Sequence, residues 1–360
     1  VARGPGKGAE VRLEGLLKTY GRVRAVDGVT LTVSGGEFVT LLGPSGSGKT
    51  TTLMMVAGFV EPDAGEVFLG GARVTDTPAH RRGLGMVFQH YALFPHMTVF
   101  DNIAYPLRMR RVPRAEIRDR VRAALDLVRL PDVGGRYPRQ LSGGQQQRIA
   151  LARALVYQPQ VLLMDEPLGA LDKKLREEMQ VELRTLQQGL GLTALYVTHD
   201  QEEAMALSDR VVVMRDGRIE QAGAPDDLYE RPRTRFVADF IGASNRLDGE
   251  VRREGDAWVF VTAEGARLPV ARPPDAAAAG PVQLVLRPER IRWADDGTAE
   301  VSASGTVVAV TYLGERIRYL VRLDGGPTLA VTHPNLPAGR RPAAGAAVRL
   351  GWDRADATLL

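Results

Sequence analysis

The stretch Gly43-Pro44-Ser45-Gly46-Ser47-Gly48-Lys49-Thr50-Thr51 has the GxxxxGK[ST] spacing that cradles phosphate. Its glycines let successive backbone N–H groups turn inward around an anion without a side-chain clash. A helix starting at its end adds unpaired donors and the positive end of its dipole. Lys49 is expected to reach the β- and γ-phosphates of a nucleotide, and the Thr50 hydroxyl to bind Mg²⁺. The plain alternative is a Gly/Ser turn that happens to hold a lysine. The chain has only five lysines, Lys7, Lys18, Lys49, Lys173 and Lys174, so a chance match is rare.

Further polar groups stand where apolar runs end. Asp165 closes Val161 to Met164 and fits a carboxylate holding Mg²⁺, partly through water, since Mg²⁺ keeps some of its hydration shell. Glu166 beside it is placed to polarise an attacking water as general base. His199 ends the run Ala194 to Val197, where its ring could orient Glu166, water and γ-phosphate if the strands are neighbours. Gln89 follows Gly85 to Phe88, and its amide suits either Mg²⁺ or the water. Each has an ordinary reading alone: a solvated turn for the acids, a satisfied histidine, a packed edge aromatic for Tyr20 rather than a base-stacking ring. Ser142-Gly143-Gly144-Gln145, after Leu141, reads as an N-cap and first helical turn, a second anion site without a lysine. One full phosphate loop and one incomplete anion site imply a head-to-tail dimer with two composite sites. An ordinary Gly-rich helix start is the alternative.

The elements that must position these groups alternate between strand and helix patterns. Val11 to Lys18 alternates like an edge strand, and Val23 to Val33 reads as strands broken at Asp27-Gly28. Phe38 to Leu42 is a buried strand feeding the phosphate loop, and Leu53, Met54, Val56 and Ala57 have helical spacing closed by Gly58. Asp63 to Val74 is a short strand region. Thr98 to Asp101 is a capping-box pattern opening a helix, and Pro113 separates it from a second. Asp172 to Gln188 is a long helix, and Arg210 to Gln221 a hairpin around Asp216-Gly217. Pro225 to Tyr229 and Thr234 to Phe240 are short helices. Such alternation argues a mainly parallel sheet covered by helices. After about Asn245 only short strand-like runs and Gly/Pro turns follow, the pattern of an all-β barrel. The expected organisation is a tail over residues 1–9, an α/β domain over 10–241 with a helical part near 90–157, and a β-domain over 242–360. Ala271 to Pro281 reads as a Pro/Ala insert.

Bulk properties narrow the function classes. The 360 residues allow two or three domains, and 44% hydrophobic with 25% charged residues is ordinary for a soluble globular chain. The net charge of +4 is spread among interspersed signs, so nucleic acid is not the default partner. One local excess stands out, Arg108, Arg110, Arg111, Arg114, Arg118, Arg120 and Arg122, which reads as a solvated helix face or as a contact with an anionic membrane surface. The absence of cysteine excludes disulfides and any cysteine metal site or nucleophile, and fits a reducing compartment. No run has the length of a membrane span and no signal peptide precedes the first strand, so the protein is expected to be soluble by itself.

Taken together, these residues resemble the ATP-binding cassette (ABC) ATPase family. GPSGSGKTT resembles its Walker A loop, Tyr20 its A-loop aromatic and Gln89 its Q-loop. Leu141 to Arg148 resembles the signature, Val161 to Pro167 Walker B with its catalytic glutamate, Leu168 to Asp172 the D-loop, and His199 the switch histidine. Gly169 stands where a serine is common, and its small size keeps the turn. The resemblance implies a P-loop NTPase fold, α/β with a mainly parallel sheet, an antiparallel β subdomain and a helical subdomain, followed by an OB-like barrel domain. It implies that two ATP molecules with Mg²⁺ are sandwiched in a homodimer, that hydrolysis reopens it, and that Gln89 links the site to a membrane partner. His90 to Ile103 resembles the surface that receives a transmembrane permease subunit. Leu286 to Glu289 and Tyr312 to Gly314 resemble the regulatory domain of importer ATPases, closest overall to the polyamine (spermidine/putrescine) branch. Ferric iron, sulfate, sugar and phosphonate importers share much of this pattern. A separate solute-binding protein would meet the substrate, and the chain would sit peripherally on the cytoplasmic face of the cell membrane.

A soluble cassette ATPase acting on DNA or translation is the alternative from another class. DNA-repair members insert a long coiled coil between the Q-loop and the signature, whereas Gln89 to Ser142 here holds two helices and a turn without sustained heptads. Translation-type members carry two cassettes in one chain. A P-loop kinase or GTPase leaves Ser142 to Gln145 and His199 without a role.

Overall fold

The computed structural model describes residues 8–271, 281–294, 299–337 and 340–360. Val1 to Lys7 of the expected tail and Arg272 to Gly280 of the expected Pro/Ala insert lie outside the described residues. Gly8 and Ala9 are already fastened, their amides donating to the carbonyls of Gly191 at 2.8 Å and Gln160 at 3.4 Å. The chain forms two compact units that divide between Leu228 and Tyr229.

The first unit opens with β1 (Val11–Tyr20), β2 (Val23–Val33), β3 (Phe38–Leu42), α1 (Lys49–Ala57), β4 (Ala64–Leu69), β5 (Ala72–Arg73) and β6 (Gly85–Val87). Helices α2 (Val99–Met109), α3 (Arg114–Leu127) and α4 (Gly143–Leu155) follow. Then come β7 (Val161–Asp165), α5 (Lys173–Leu190), β8 (Thr193–Thr198), α6 (Gln201–Leu207), β9 (Arg210–Arg215), β10 (Arg218–Gly223) and α7 (Pro225–Glu230), within which the unit ends. A six-stranded sheet runs in the order β10-β9-β3-β8-β7-β6. All its pairings are parallel except β10 with β9. Every residue of β3, β7 and β8 is buried. Strands covered on both faces need apolar side chains at every position, which is why they read as unbroken apolar runs.

A second, four-stranded antiparallel sheet has the order β2-β1-β4-β5. The edge-strand expectation for β1 is therefore corrected, since β1 pairs with β2 on one side and β4 on the other. Its alternation reports one buried face, lined by Val11, Leu13 and Leu16, and an inner antiparallel strand has the same pattern. The break expected at Asp27-Gly28 is also corrected. Asp27 pairs with Leu17 and Val29 with Leu16, so Gly28, at φ 74°, is a bulge inside one continuous β2. Helices α2, α3 and α4 close around their own core, with Val99, Ile103, Leu107, Val121 and Ile149 buried together. The Thr98 hydroxyl caps α2, accepting from the Asp101 amide at 3.1 Å. Among the described residues, no helix is long and apolar enough to cross a membrane.

The second unit begins at Tyr229, ahead of the boundary read from the sequence at Ile241 to Asn245. The reason is Arg287, whose guanidinium donates to the carbonyls of Tyr229 at 2.9 Å, Ala238 at 3.2 Å and Ala243 at 3.3 Å. Those bonds tie the lead-in segment, including α8 (Arg235–Phe240), to the β-domain. The strands are β11 (Asn245–Glu254), β12 (Ala257–Thr262), β13 (Arg267–Val270), β14 (Pro281–Leu286), β15 (Arg292–Trp293), β16 (Val301–Tyr312), β17 (Arg316–Leu323), β18 (Thr328–Pro334), β19 (Ala347–Trp352) and β20 (Ala357–Leu359). They form two antiparallel five-stranded sheets, β13-β12-β11-β14-β20 and β15-β19-β16-β17-β18. Both contribute to one core around Phe260, Leu284, Tyr319, Leu350 and Trp352, the all-β OB-like arrangement expected.

Candidate functional site

Strands β3, β8, β7 and β6 are consecutive neighbours, and each ends in one of the polar groups singled out in the sequence. The phosphate loop follows β3, His199 follows β8, Asp165 ends β7 with Glu166 next, and Gln89 lies just beyond β6. Ligands of open parallel sheets gather at this end of the strands.

The loop before α1 is held close to its surroundings. A Cβ on Gly43 would lie 2.3 Å from the Met214 carbonyl oxygen. Gly46 and Gly48 have φ of 80° and 95°, the left-handed region that favours glycine. Ser45 and Gly46 are exposed at the loop's tip, Ser47 is buried, and Thr51 is half-buried in the first turn of α1. That helix has no side-chain cap and no acid in its first turn, so its terminal N–H groups and dipole are uncompensated by side chains. Lys49 is buried, and its Nζ donates to the carbonyls of Gly43 and Pro44, both at 2.8 Å, and to Ser47 Oγ at 3.3 Å. Burial pushes its pKa below the usual lysine value, while the charges of Glu166 and Asp165 oppose that shift.

The Thr50 hydroxyl donates to Asp165 Oδ1 at 3.0 Å. Burial raises the Asp165 pKa above the ordinary carboxylate value, with the Thr50 bond acting the other way. Glu166 adopts φ 43°, uncommon for a residue with a side chain. Its amide donates to the Val197 carbonyl at 3.0 Å, which anchors it to β8. Its carboxylate lies between two partners: Gln89 Nε2 donates to Oε2 at 3.2 Å, and His199 Nδ1 is 3.1 Å from Oε1. A hydroxyl and a carboxylate in contact form the hard oxygen set that Mg²⁺ prefers. Among the described residues, no cluster of three or more His, Cys, Asp or Glu builds a metal cage.

Tyr20, at the end of β1, is 51% exposed, with Lys18 Nζ over its ring at 5.7 Å from the centre. Ser142 caps α4 in a reciprocal box: its hydroxyl accepts from the Gln145 amide at 3.3 Å, and its own amide donates to Gln145 Oε1 at 3.0 Å. Gly143 is exposed, while a Cβ on Gly144 would meet Leu175 Cδ2 at 2.8 Å. Among the described residues, no hydrogen bond or ion pair joins Ser142–Gln145 to the group around Lys49 and Glu166. The structure thus brings Lys49, Thr50, Gln89, Asp165, Glu166 and His199 together and leaves Tyr20 and Ser142–Gln145 apart from their contacts.

Two arginines that sequence reasoning missed support this group. Arg176 of α5 donates to Asp200 Oδ2 at 3.1 Å and to the Leu171 carbonyl at 3.0 Å, joining the segment after Glu166 to the residue after His199. Asp200 also caps α6, a role its place before Gln201-Glu202-Glu203 could have suggested. Arg153 of α4 donates to the carbonyls of Tyr91 at 2.8 Å and Ala92 at 2.7 Å, just beyond Gln89.

The sequence pattern of the ABC transporter family matches residues 26–169, and that of the TOBE domain matches residues 284–360. The chain is 48% identical to the spermidine/putrescine import ATP-binding protein PotA of Rubrobacter xylanophilus, over 100% of this chain and 96% of that protein. The protein of the same name in Thermobifida fusca is 51% identical over 90% of this chain and 86% of its own length. In Pseudomonas aeruginosa it is 49% identical over 95% of this chain and 96% of its own length. Among solved structures, the dimeric MJ0796, a bacterial ABC transporter cassette, is 35% identical with a TM-score of 0.55, covering 60% of this chain and 98% of that one. The same cassette in a post-hydrolysis dimer bound to ADP and Pi is equally similar. With relatives this similar along its whole length, the chain belongs to the ABC transporter family of ATPases.

Proposed function

We propose that this chain is the ATP-hydrolysing subunit of a spermidine/putrescine importer, working as a head-to-tail homodimer on two transmembrane permease subunits served by a separate solute-binding protein. It sits at the cytoplasmic face of the membrane through those permease subunits. The observation that carries the catalytic part is the placing of Glu166 between Gln89 and His199, beside Lys49 and the Thr50–Asp165 pair. The polyamine assignment rests on relatives of 48–51% identity that bear that name.

In this reading Lys49 and the N–H groups of the loop and of the uncapped first turn of α1 hold the nucleotide phosphates. Tyr20 offers its exposed ring to the base. Thr50 and Asp165, with Gln89 at the rim, would hold Mg²⁺, which supplies charge neutralisation on the phosphate oxygens when bound. Glu166 accepts the proton of the attacking water, and the His199 ring fixes the orientation of that carboxylate. Ser142–Gln145 of the second copy, an exposed N-capped helix start, closes over the phosphates.

Glu166→Gln tests the assignment. The amide keeps the size and the partners but accepts no proton, so turnover should fall by about 10²–10⁴-fold with ATP affinity retained. Near-normal turnover sinks the catalytic role. The same variant at saturating ATP should run as a dimer in size-exclusion chromatography, and Ser142→Arg should abolish that dimer. In the complex reconstituted with its permease, spermidine or putrescine should stimulate hydrolysis. Stimulation by iron, sulfate or a sugar instead would refute the polyamine assignment.

A further inference from the structure

The α2–α3 hairpin carries a positive surface that the hydrolytic reaction does not use. From Arg108 to Arg122 there are seven arginines against two acids, Glu116 and Asp119. Three of the arginines are occupied: Arg108 pairs with Asp101 at 2.7 Å, Arg120 pairs with Glu116, and Arg110 lies 3.8 Å above the Tyr157 ring. The other four, Arg111, Arg114, Arg118 and Arg122, are exposed. Among the described residues, none of these four makes an ion pair or a side-chain hydrogen bond. Arg114, Arg118 and Arg122 recur at four-residue intervals, so they form one row along α3. Arg111 extends that row into the turn. The row flanks the buried seam of Ile117, Val121, Ala124 and Leu125; Asp119 and Asp126 stand one turn from Arg122, but among the described residues neither forms an ion pair with the row. Met109, 62% exposed, ends α2 beside it.

Like charges one helical turn apart repel, so an uncompensated row weakens the helix that carries it. Unlike the pairs Arg108–Asp101 and Arg120–Glu116, it has no internal partner to offset that cost. We propose that the row Arg111, Arg114, Arg118 and Arg122 rests on the anionic phospholipid headgroups of the membrane, with Met109 at the boundary of the lipid. The guanidinium is planar, always charged and matched to phosphate oxygens. A linear row without a pocket fits a surface of many mobile anions better than one discrete ligand. The choice of a membrane as the anionic surface rests on the reading of the chain as a permease-bound subunit.

The full-length protein is co-sedimented with phosphatidylcholine vesicles and with vesicles in which a third of the lipid is phosphatidylglycerol. Each arginine near such a surface changes partition by about fivefold, so four together give on the order of a hundredfold after screening. Arg111→Gln/Arg114→Gln/Arg118→Gln/Arg122→Gln should lose that binding and keep solution ATPase activity. A control with Arg252, Arg253, Arg318 and Arg322 changed to Gln removes equal charge elsewhere and should bind like the parent. Equal sedimentation with neutral vesicles, or equal binding by both quadruple variants, overturns the proposal. So does row-dependent binding to a DNA duplex that exceeds vesicle binding. The readout is sedimentation, whereas failure of the ATPase reading would appear in Glu166→Gln turnover, so the two failures are separable.

Discussion

Replacing Gly48 and Gly46 by alanine, one at a time, separates backbone strain from close approach in the phosphate loop. Both glycines are left-handed, at φ 95° and 80°, and a Cβ in that region costs about 1–2 kcal/mol. Gly46 has no atom within 4 Å of the added Cβ, so it carries that cost alone. At Gly48 the Cβ would lie 2.3 Å from the Ala25 carbonyl oxygen and 3.3 Å from the Gly217 Cα. These are backbone atoms of β2 and of the β9–β10 turn, so no side chain can swing away. Overpacking of that kind adds about 1–3 kcal/mol. Gly46→Ala should therefore cost about 1–2 kcal/mol and Gly48→Ala about 2–5 kcal/mol. For a unit of this size each kcal/mol lowers the melting temperature by roughly 2–4 °C, so calorimetry should place Gly48→Ala several degrees below Gly46→Ala. Titration with a fluorescent ATP analogue should show weaker binding for Gly48→Ala, because relief of the clash displaces the amide before Lys49. Equal melting temperatures for the two variants would refute the close approach.

Arg82→Met should destabilise the first unit by about 3 kcal/mol or more, because it unpairs several buried acceptors at once. The guanidinium donates to the carbonyls of Met55 at 2.7 Å, Val56 at 2.9 Å, Thr75 at 2.8 Å and Thr77 at 2.7 Å, and urea unfolding would contradict this if the loss stayed under about 1 kcal/mol. Asp63→Asn tests acid stability. The Lys18 hydrogen bond first, then the Thr19 amide and hydroxyl, lower the Asp63 pKa to about 2 from 3.8. A depressed carboxylate contributes above its unfolded pKa and loses that contribution as pH falls through its folded one. The variant's melting temperature should therefore fall less steeply than the parent's between about pH 4 and 2, and an identical slope would count against the pairing.

What was legible in the sequence is what a local pattern encodes. Strands β3, β7 and β8 were readable because burial on both faces forces apolar residues at every position. The capping residues Thr98 and Ser142 were readable because a cap and its partner lie three residues apart. The inner position of β1 was not, since its second partner β4 follows β3 and α1, and alternation is the same with one neighbour or two. Gly28 looked like a turn because a bulge uses the same left-handed glycine. The strand order that gathers Lys49, His199, Glu166 and Gln89 was an assumption in the sequence and a finding in the sheet. Arg176 and Arg153 act on residues 24 and 62 positions away, and no periodicity spans such gaps.

Three of the seven described non-glycine residues with positive φ lie at these strand ends, and side-chain contacts there hold them. Tyr91, Ala92 and Glu166 have φ of 59°, 48° and 43°. Each costs about 1–2 kcal/mol in that region. Arg153 donates to the carbonyls of both Tyr91 and Ala92, and a hydrogen bond from a charged donor contributes about 1.5–3 kcal/mol. Burial also lowers the Arg153 pKa, so the guanidinium is costly to leave without these acceptors. Glu166 is held by its amide bond to Val197 and by the side chains of Gln89 and His199. In both places the holding contacts match or exceed the strain. The left-handed backbone takes Glu166 off the extended path of β7, and its amide bonds to Val197 of β8. A glutamate continuing the extended strand would follow the β7 axis instead. The angle at one residue, more than the residue type, is what brings Glu166 between Gln89 and His199.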